Sequence, residues 1–193
     1  FYSVSEATPT GWTLSSVTCS DGSPPEAIDL GPSETVTCTF TNTKDGKLTI
    51  EKVTDPASSA PDSFGFTGTG TGISPSFTLN TYSTADDTIE FTFSGSGYGS
   101  KSVTEGTTAG WTLTGVSCDD GSGQDPNTGS GATATVDVQP GDDITCTVTN
   151  TKKGKIVVDK VTDPADSTQL FGFTATYGTF SLADGDTPND SGA

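Results

Sequence analysis

The chain has 193 residues, enough for one or two ordinary domains, and only 30% of them are hydrophobic. Eight lysines, with no arginine and no histidine, face 25 Asp and Glu, for a formal net charge of -17. That charge repels phosphate backbones and argues against a nucleic-acid partner. The lack of histidine removes Ser-His-Asp and Cys-His catalysis and every His-containing metal site.

No apolar run approaches the roughly 20 residues of a membrane span, so no membrane insertion is expected in this segment. With no initiator Met and no leader-like start, the chain reads as a mature protein or a fragment of one. Low apolar content with high charge is also a signature of disorder. Strict alternation of the apolar residues, and a long repeat, point instead to an all-β fold.

The elements follow in chain order. Tyr2 and Val4 alternate toward Glu6. Gly11-Trp12-Thr13-Leu14 opens a strand that reaches Cys19. Val36, Cys38 and Phe40 share one strand face, and the next residue on it is Asn42. Leu48 and Ile50 lead in the same way to Lys52, and Phe64-Gly65-Phe66 follows as a short strand. Val103 leads to Glu105, Gly110-Trp111-Thr112-Leu113 starts a strand that reaches Cys118, and Ile144, Cys146 and Val148 lead to Asn150. Ile156 and Val158 then lead to Lys160, and Phe171-Gly172-Phe173 closes the series.

The series repeats. Cys38 to Cys146 and Lys52 to Lys160 are each 108 residues apart. The frame gives one complete module at 47–152. Residues 1–46 match only the back half of a module, and residues 153–193 only the front half. The two halves are complementary, so each would be completed by a neighbouring subunit or by the continuing chain. The expected architecture is tandem all-β modules, one complete and two half.

Three apolar strand faces in the complete module each end in one polar group: Lys52, Glu105 and Asn150. A buried unpaired charge costs several kcal/mol, so its recurrence in each module needs a cause. Strand ends that reach water, with the lysine snorkelling, are one. A reactive cluster is the other. Burial frees the lysine of its proton and makes it a nucleophile, and it raises the carboxyl pKa. The protonated acid would donate to the amide oxygen, the amine would attack the amide carbon, and ammonia would leave. The product is a covalent Lys–Asn isopeptide, formed once and without turnover.

The order Lys52-Val53-Thr54-Asp55-Pro56, then Val103-Thr104-Glu105 ahead of Gly110-Trp111, then Thr149-Asn150-Thr151, resembles the Cna B-type domains. These are also described as SpaA-like or prealbumin-like (transthyretin-like) domains of bacterial pilins and surface adhesin stalks. The resemblance covers the complete module and both halves. It implies a Greek-key sandwich in which Lys52 bonds Asn150 with Glu105 assisting. Lys160 would need an Asn and a Glu from elsewhere, while Glu6 and Asn42 would lack their lysine. No Leu-Pro-x-Thr-Gly sorting motif is present.

The four cysteines fall two per back half, each pair joining the strand after the Trp to the last strand. Two widely spaced thiolates do not hold zinc, so disulfides Cys19–Cys38 and Cys118–Cys146 are expected, in an extracellular setting. No metal or cofactor is expected. The acidic groups Asp184, Asp186, Asn189, Asp190 and Asp119, Asp120, Asp125 lack EF-hand spacing and read as solvated turns before calcium sites. Trp12 and Trp111 read as core or sandwich-edge residues rather than sugar platforms. Asn189-Asp190-Ser191 fits a glycosylation triplet.

These readings favour a structural subunit or repeat segment of a cell-surface filament or stalk, partnered head to tail by copies of itself or by neighbouring repeats. The alternative is an adhesin segment that binds host matrix or glycan through its variable loops. An enzyme with turnover ranks last.

Overall fold

The computed structural model describes residues 1–58, 61–81 and 87–192. Ala193, the last residue of the expected third segment, lies outside them. Among the described residues the regular structure is β throughout, apart from a three-residue 3-10 turn at Gly95–Gly97.

Two strands, β1 (Trp12–Cys19) and β2 (Cys38–Lys44), pair as an antiparallel ribbon. Eight more follow: β3 (Gly46–Asp55), β4 (Ser63–Thr69), β5 (Ser76–Asn80), β6 (Thr88–Phe93), β7 (Gly99–Glu105), β8 (Trp111–Asp119), β9 (Thr133–Val138) and β10 (Asp143–Lys152). They form two four-stranded sheets, ordered β6-β3-β10-β8 and β5-β4-β7-β9. Last come β11 (Val157–Val158), β12 (Phe171–Ala175), β13 (Gly178–Leu182) and β14 (Asn189–Asp190), paired as β11-β14 and β12-β13.

Each sandwich strand buries its apolar set by period-2 alternation. In β10, Ile144, Cys146 and Val148 point inward while Thr145, Thr147, Thr149 and Thr151 face outward. In β3, Leu48 and Ile50 do the same. They meet Phe64, Phe66, Val103, Val136 and Val138 of the facing sheet in one apolar core. Phe66 stacks on Phe77, and Phe77 meets Phe91 edge-on.

The first and last strands of this sandwich are parallel neighbours, in register from Lys47 opposite Asp143 to Asp55 opposite Thr151. That pairing, rather than a hairpin, closes the fold. Gly46 stands where β3 enters, and a Cβ there would lie 2.6 Å from the Gln139 carbonyl oxygen. Only glycine lets the chain start the strand at that point.

The flanking segments reproduce pieces of the sandwich. β1 and β2 set Cys19 opposite Cys38 and Leu14 opposite Asn42, as β8 and β10 set Cys118 opposite Cys146 and Leu113 opposite Asn150. Tyr2 bridges Ile28 where the sandwich pairs Lys101 with Val136. Phe171 pairs with Leu182 as Phe64 does with Leu79.

The reading that Tyr2, Val4 and Ile156 face a core does not hold within one chain, where all three are exposed. The cause is physical: each fragment carries its local hairpins but no facing sheet to cover them. Trp111 is buried, whereas its counterpart Trp12 is 44% exposed for the same reason.

Candidate functional site: a buried lysine, glutamate and asparagine

The alternation that buries the core also delivers three polar groups to one point. Lys52 follows Ile50 on the inner face of β3, Asn150 follows Val148 on β10, and Glu105 follows Val103 on β7. Lys52 and Asn150 are each 2% exposed and Glu105 is 6% exposed. The parallel register sets Lys52 opposite Val148, one inward position before Asn150. Glu105 comes from the facing sheet, so the site spans the sandwich.

Glu105 lies between the other two. Its Oε1 accepts a 2.6 Å hydrogen bond from Asn150 Nδ2, and its Oε2 lies 3.6 Å from Lys52 Nζ. Lys52 Nζ donates to the carbonyls of Val148 at 2.8 Å and Val53 at 2.9 Å. The Phe64 ring lies 4.4 Å from Nζ, and Trp111 meets Phe64 edge-on at 5.6 Å. Within this cluster of three residues, the buried atoms Glu105 Oε2 and Asn150 Oδ1 have no hydrogen-bond partner. An open cleft of about 260 Å³ reaches Glu105 and Asn150 beside Trp111.

Burial governs the electrostatics. It lowers the Lys52 pKa from 10.5 to about 8, against the opposing pull of the Glu105 charge. It also raises the Glu105 carboxyl pKa, although the bond from Asn150 and the nearby ammonium work the other way. Both charged forms are therefore disfavoured, and a partly neutral amine stands beside an amide and a proton carrier.

Asn150 turns its nitrogen to Glu105. Oε2 of Glu105 faces the Lys52 amine, and Oε1 faces the Asn150 amide nitrogen. In this arrangement Glu105 can accept a hydrogen bond from each of them.

Two participants escape the sequence argument. Phe64 walls the lysine. Its Phe-Gly-Phe motif is visible as a repeat, but strand alternation gives no hint that the ring packs on Lys52. Lys101 is a second buried lysine at 2% exposure, two residues before Val103 on the same inner face. Its Nζ donates to the Gly99 carbonyl and sits 4.9 Å from the Phe93 ring. The alternation that singles out Val103 and Glu105 could have found it.

The flanking segments carry the same groups in two parts. Asn42 Nδ2 donates to Glu6 Oε1 at 2.6 Å, as Asn150 does to Glu105. Lys160 Nζ bonds the Val161 carbonyl and lies 4.3 Å from the Phe171 ring, as Lys52 does with Val53 and Phe64. Among the described residues the lysine of one part does not meet the carboxylate and amide of the other.

Both expected disulfides are present. Cys19–Cys38 and Cys118–Cys146 each bridge directly opposed residues of neighbouring strands. The acidic turns bond their own backbones. Asp125 Oδ1 accepts from the Cys118 and Asn127 amides, and Asp184 Oδ2 from Thr162 Oγ1 and the Asp166 amide. Among the described residues no three His, Cys, Asp or Glu gather as a metal site. No helix among them is long and apolar enough to cross a membrane.

No curated protein matches the chain. Among solved structures it is similar to a mutant of the major pilin from Streptococcus pyogenes, at 16% identity and a TM-score of 0.33, over 77% of this chain and 67% of that one. The family model for the SpaA-type prealbumin-like fold domain matches residues 48–152, which spans the sandwich from Leu48 to Lys152 and more than half of the sequence. With the two-sheet architecture, that match assigns the chain to the SpaA-type prealbumin-like domain family.

Proposed function

We propose that this protein is a structural subunit or repeat segment of a bacterial cell-surface filament or stalk, in which module 47–152 is locked by an amide between Lys52 and Asn150. The observation that carries this reading is Glu105, set between a buried amine and a buried amide. Neutral Lys52 Nζ attacks Asn150 Cγ and passes one proton to Glu105 Oε2. The Cγ–Nδ2 bond breaks, Glu105 returns a proton to Nδ2, and ammonia leaves through the cleft beside Trp111. Glu105 is regenerated, so the only net change is an amine and an amide converted to a new amide and ammonia.

The same step relieves a cost. A buried ammonium disappears, and the new amide N–H can satisfy Glu105 Oε2. A site spent on one covalent bond suits a load-bearing protein and not one with turnover. The disulfides fit an extracellular place. Segments 1–46 and 153–193 read as half modules, completed head to tail by strand addition from a neighbour.

Intact mass under reducing, denaturing conditions tests the chemistry. The monomeric chain should weigh one ammonia less than its sequence, and the Lys52→Ala and Asn150→Ala monomers should keep the full mass. Wild-type chain at unmodified mass would reduce the cluster to a hydrogen-bond network.

A further inference from the structure

Each of the two incomplete parts repeats the contacts that the complete site makes within the same half: Asn42 on Glu6, and Lys160 on Val161 and Phe171. We infer that Lys160 of one copy and the Glu6–Asn42 pair of a second copy form a composite crosslinking site, which joins the copies covalently. This rests on the head-to-tail reading above and names its partner and its chemistry.

The complete module shows what must be joined. Two seams hold its front half to its back half: the parallel pairing of β3 with β10, and the antiparallel pairing of β4 with β7. Every other pairing of the module lies within one half. In the flanking segments the within-half pairings are already made, as β1-β2, Tyr2-Ile28, β12-β13 and β11-β14. Among the described residues only the two seams are unmade, so their strand edges stand open.

The repeat sets the register of the mated copies. Val148 opposite Lys52 becomes Phe40 opposite Lys160, and Phe66 opposite Glu105 becomes Phe173 opposite Glu6. That register brings Lys160 to the Glu6–Asn42 pair as Lys52 meets Glu105 and Asn150.

Side-chain exposure agrees. Val4 is 43% exposed where Val103 is 3%, Ile156 is 59% where Leu48 is 1%, and Phe171 is 38% where Phe64 is fully buried. Mating would cover these groups, and apolar burial supplies the docking energy. It would also seal Lys160 and Glu6 from water. Burial is what depresses Lys52 in the complete site, so the composite site becomes reactive only after correct docking. The balance is the same as before: Lys160 Nζ bonds Asn42 Cγ, Nδ2 departs as ammonia, and Glu6 carries the proton across.

A complementation experiment tests this with chains of residues 1–193. Wild-type chain should give a ladder on a boiled, reducing gel. Lys160→Ala and Asn42→Ala chains should each stay monomeric, yet each should lack one ammonia from the Lys52–Asn150 bond. Mixing those two variants should give a covalent dimer and nothing larger, because one supplies only the lysine and the other only the amide. Non-covalent polymers that boil apart would overturn the composite site and leave the head-to-tail reading standing. No association at all would overturn both. A wild-type monomer lacking two ammonias would mean closure within one chain, and would overturn a second copy as the partner.

Discussion

Lys52 and Lys101 are both sealed in the sandwich, but among the described residues only Lys52 has a carboxylate and an amide beside it. That difference predicts opposite responses to the same substitution. Lys101→Met keeps the volume and removes a buried charge held by the Gly99 carbonyl, the Phe93 ring and the pull of the Asp137 carboxylate, so stability should change by no more than about 1 kcal/mol. Lys52→Met would also remove the proposed amide, and freeing a loop on the order of 100 residues should cost about 4.7 kcal/mol. Denaturant midpoints of the two variants decide it, and an equal loss in both would contradict the contrast. The pH dependence follows from the same residue. The nucleophile is the neutral amine, and the Lys52 pKa is lowered to about 8. Chain collected unreacted from denaturant and refolded at stepped pH should lose ammonia faster as pH rises through that value, then level off. In the Asn150→Ala chain, which cannot react, the sign for stability is also fixed. The unfolded lysine binds its proton up to 10.5 and the folded one only to about 8. Stability of that variant should therefore rise with pH across the window between them, measured by denaturant unfolding.

At the scale of the strands, β10 is held from both sides: to β3 by a nine-residue parallel register, where the proposed Lys52–Asn150 amide would add a covalent tie, and to β8 by Cys118–Cys146. The disulfide ties down β8, an edge strand with one neighbour. Its loop of 28 residues lies inside the larger covalent loop and remains a separate constraint. Replacing both cysteines with alanine should cost about 3–4 kcal/mol in denaturant unfolding. Ammonia should still be lost, because the nine-residue register of β3 against β10 does not depend on β8. The strands were legible because one rule, alternation, sets both what they bury and where the polar residue falls. Leu48-Ile50-Lys52 and Ile144-Cys146-Val148-Asn150 read inward in the sequence as they do in the fold. Alternation says nothing about which strand lies beside which. The parallel β3–β10 contact, the Phe64 wall and the turn of the Asn150 amide toward Glu105 depend on tertiary packing, so the sequence named three residues that meet without naming the contacts that orient them. For Tyr2, Val4 and Ile156 the alternation is real, but no sheet among the described residues covers them.

Across the whole module, the proposed crosslink would decide how force travels. Tension applied along the chain enters β3 at Gly46 and leaves β10 at Lys152. These strands are parallel neighbours, so without a covalent link the load shears their hydrogen bonds and must break them together. With Lys52 bonded to Asn150 the path is short. Load runs from Gly46 to Lys52, crosses the amide, and leaves through Thr151 and Lys152. Residues from Val53 to Thr149, including the facing sheet and the Cys118–Cys146 loop, carry none of it. Hydrogen-bond ladders give way cooperatively under load, whereas a covalent amide does not break under forces that unfold a domain. Single-molecule pulling of the module from its two ends should therefore show no unfolding extension in the wild-type chain. The Asn150→Ala chain should unfold in one event and release the contour of the residues between the two positions. Reduction should leave the wild-type trace unchanged, because the disulfide lies inside the shielded loop. Full extension of a wild-type chain whose mass shows the ammonia loss would mean that force enters by another route, and the shielding argument would fail while the bond itself stood.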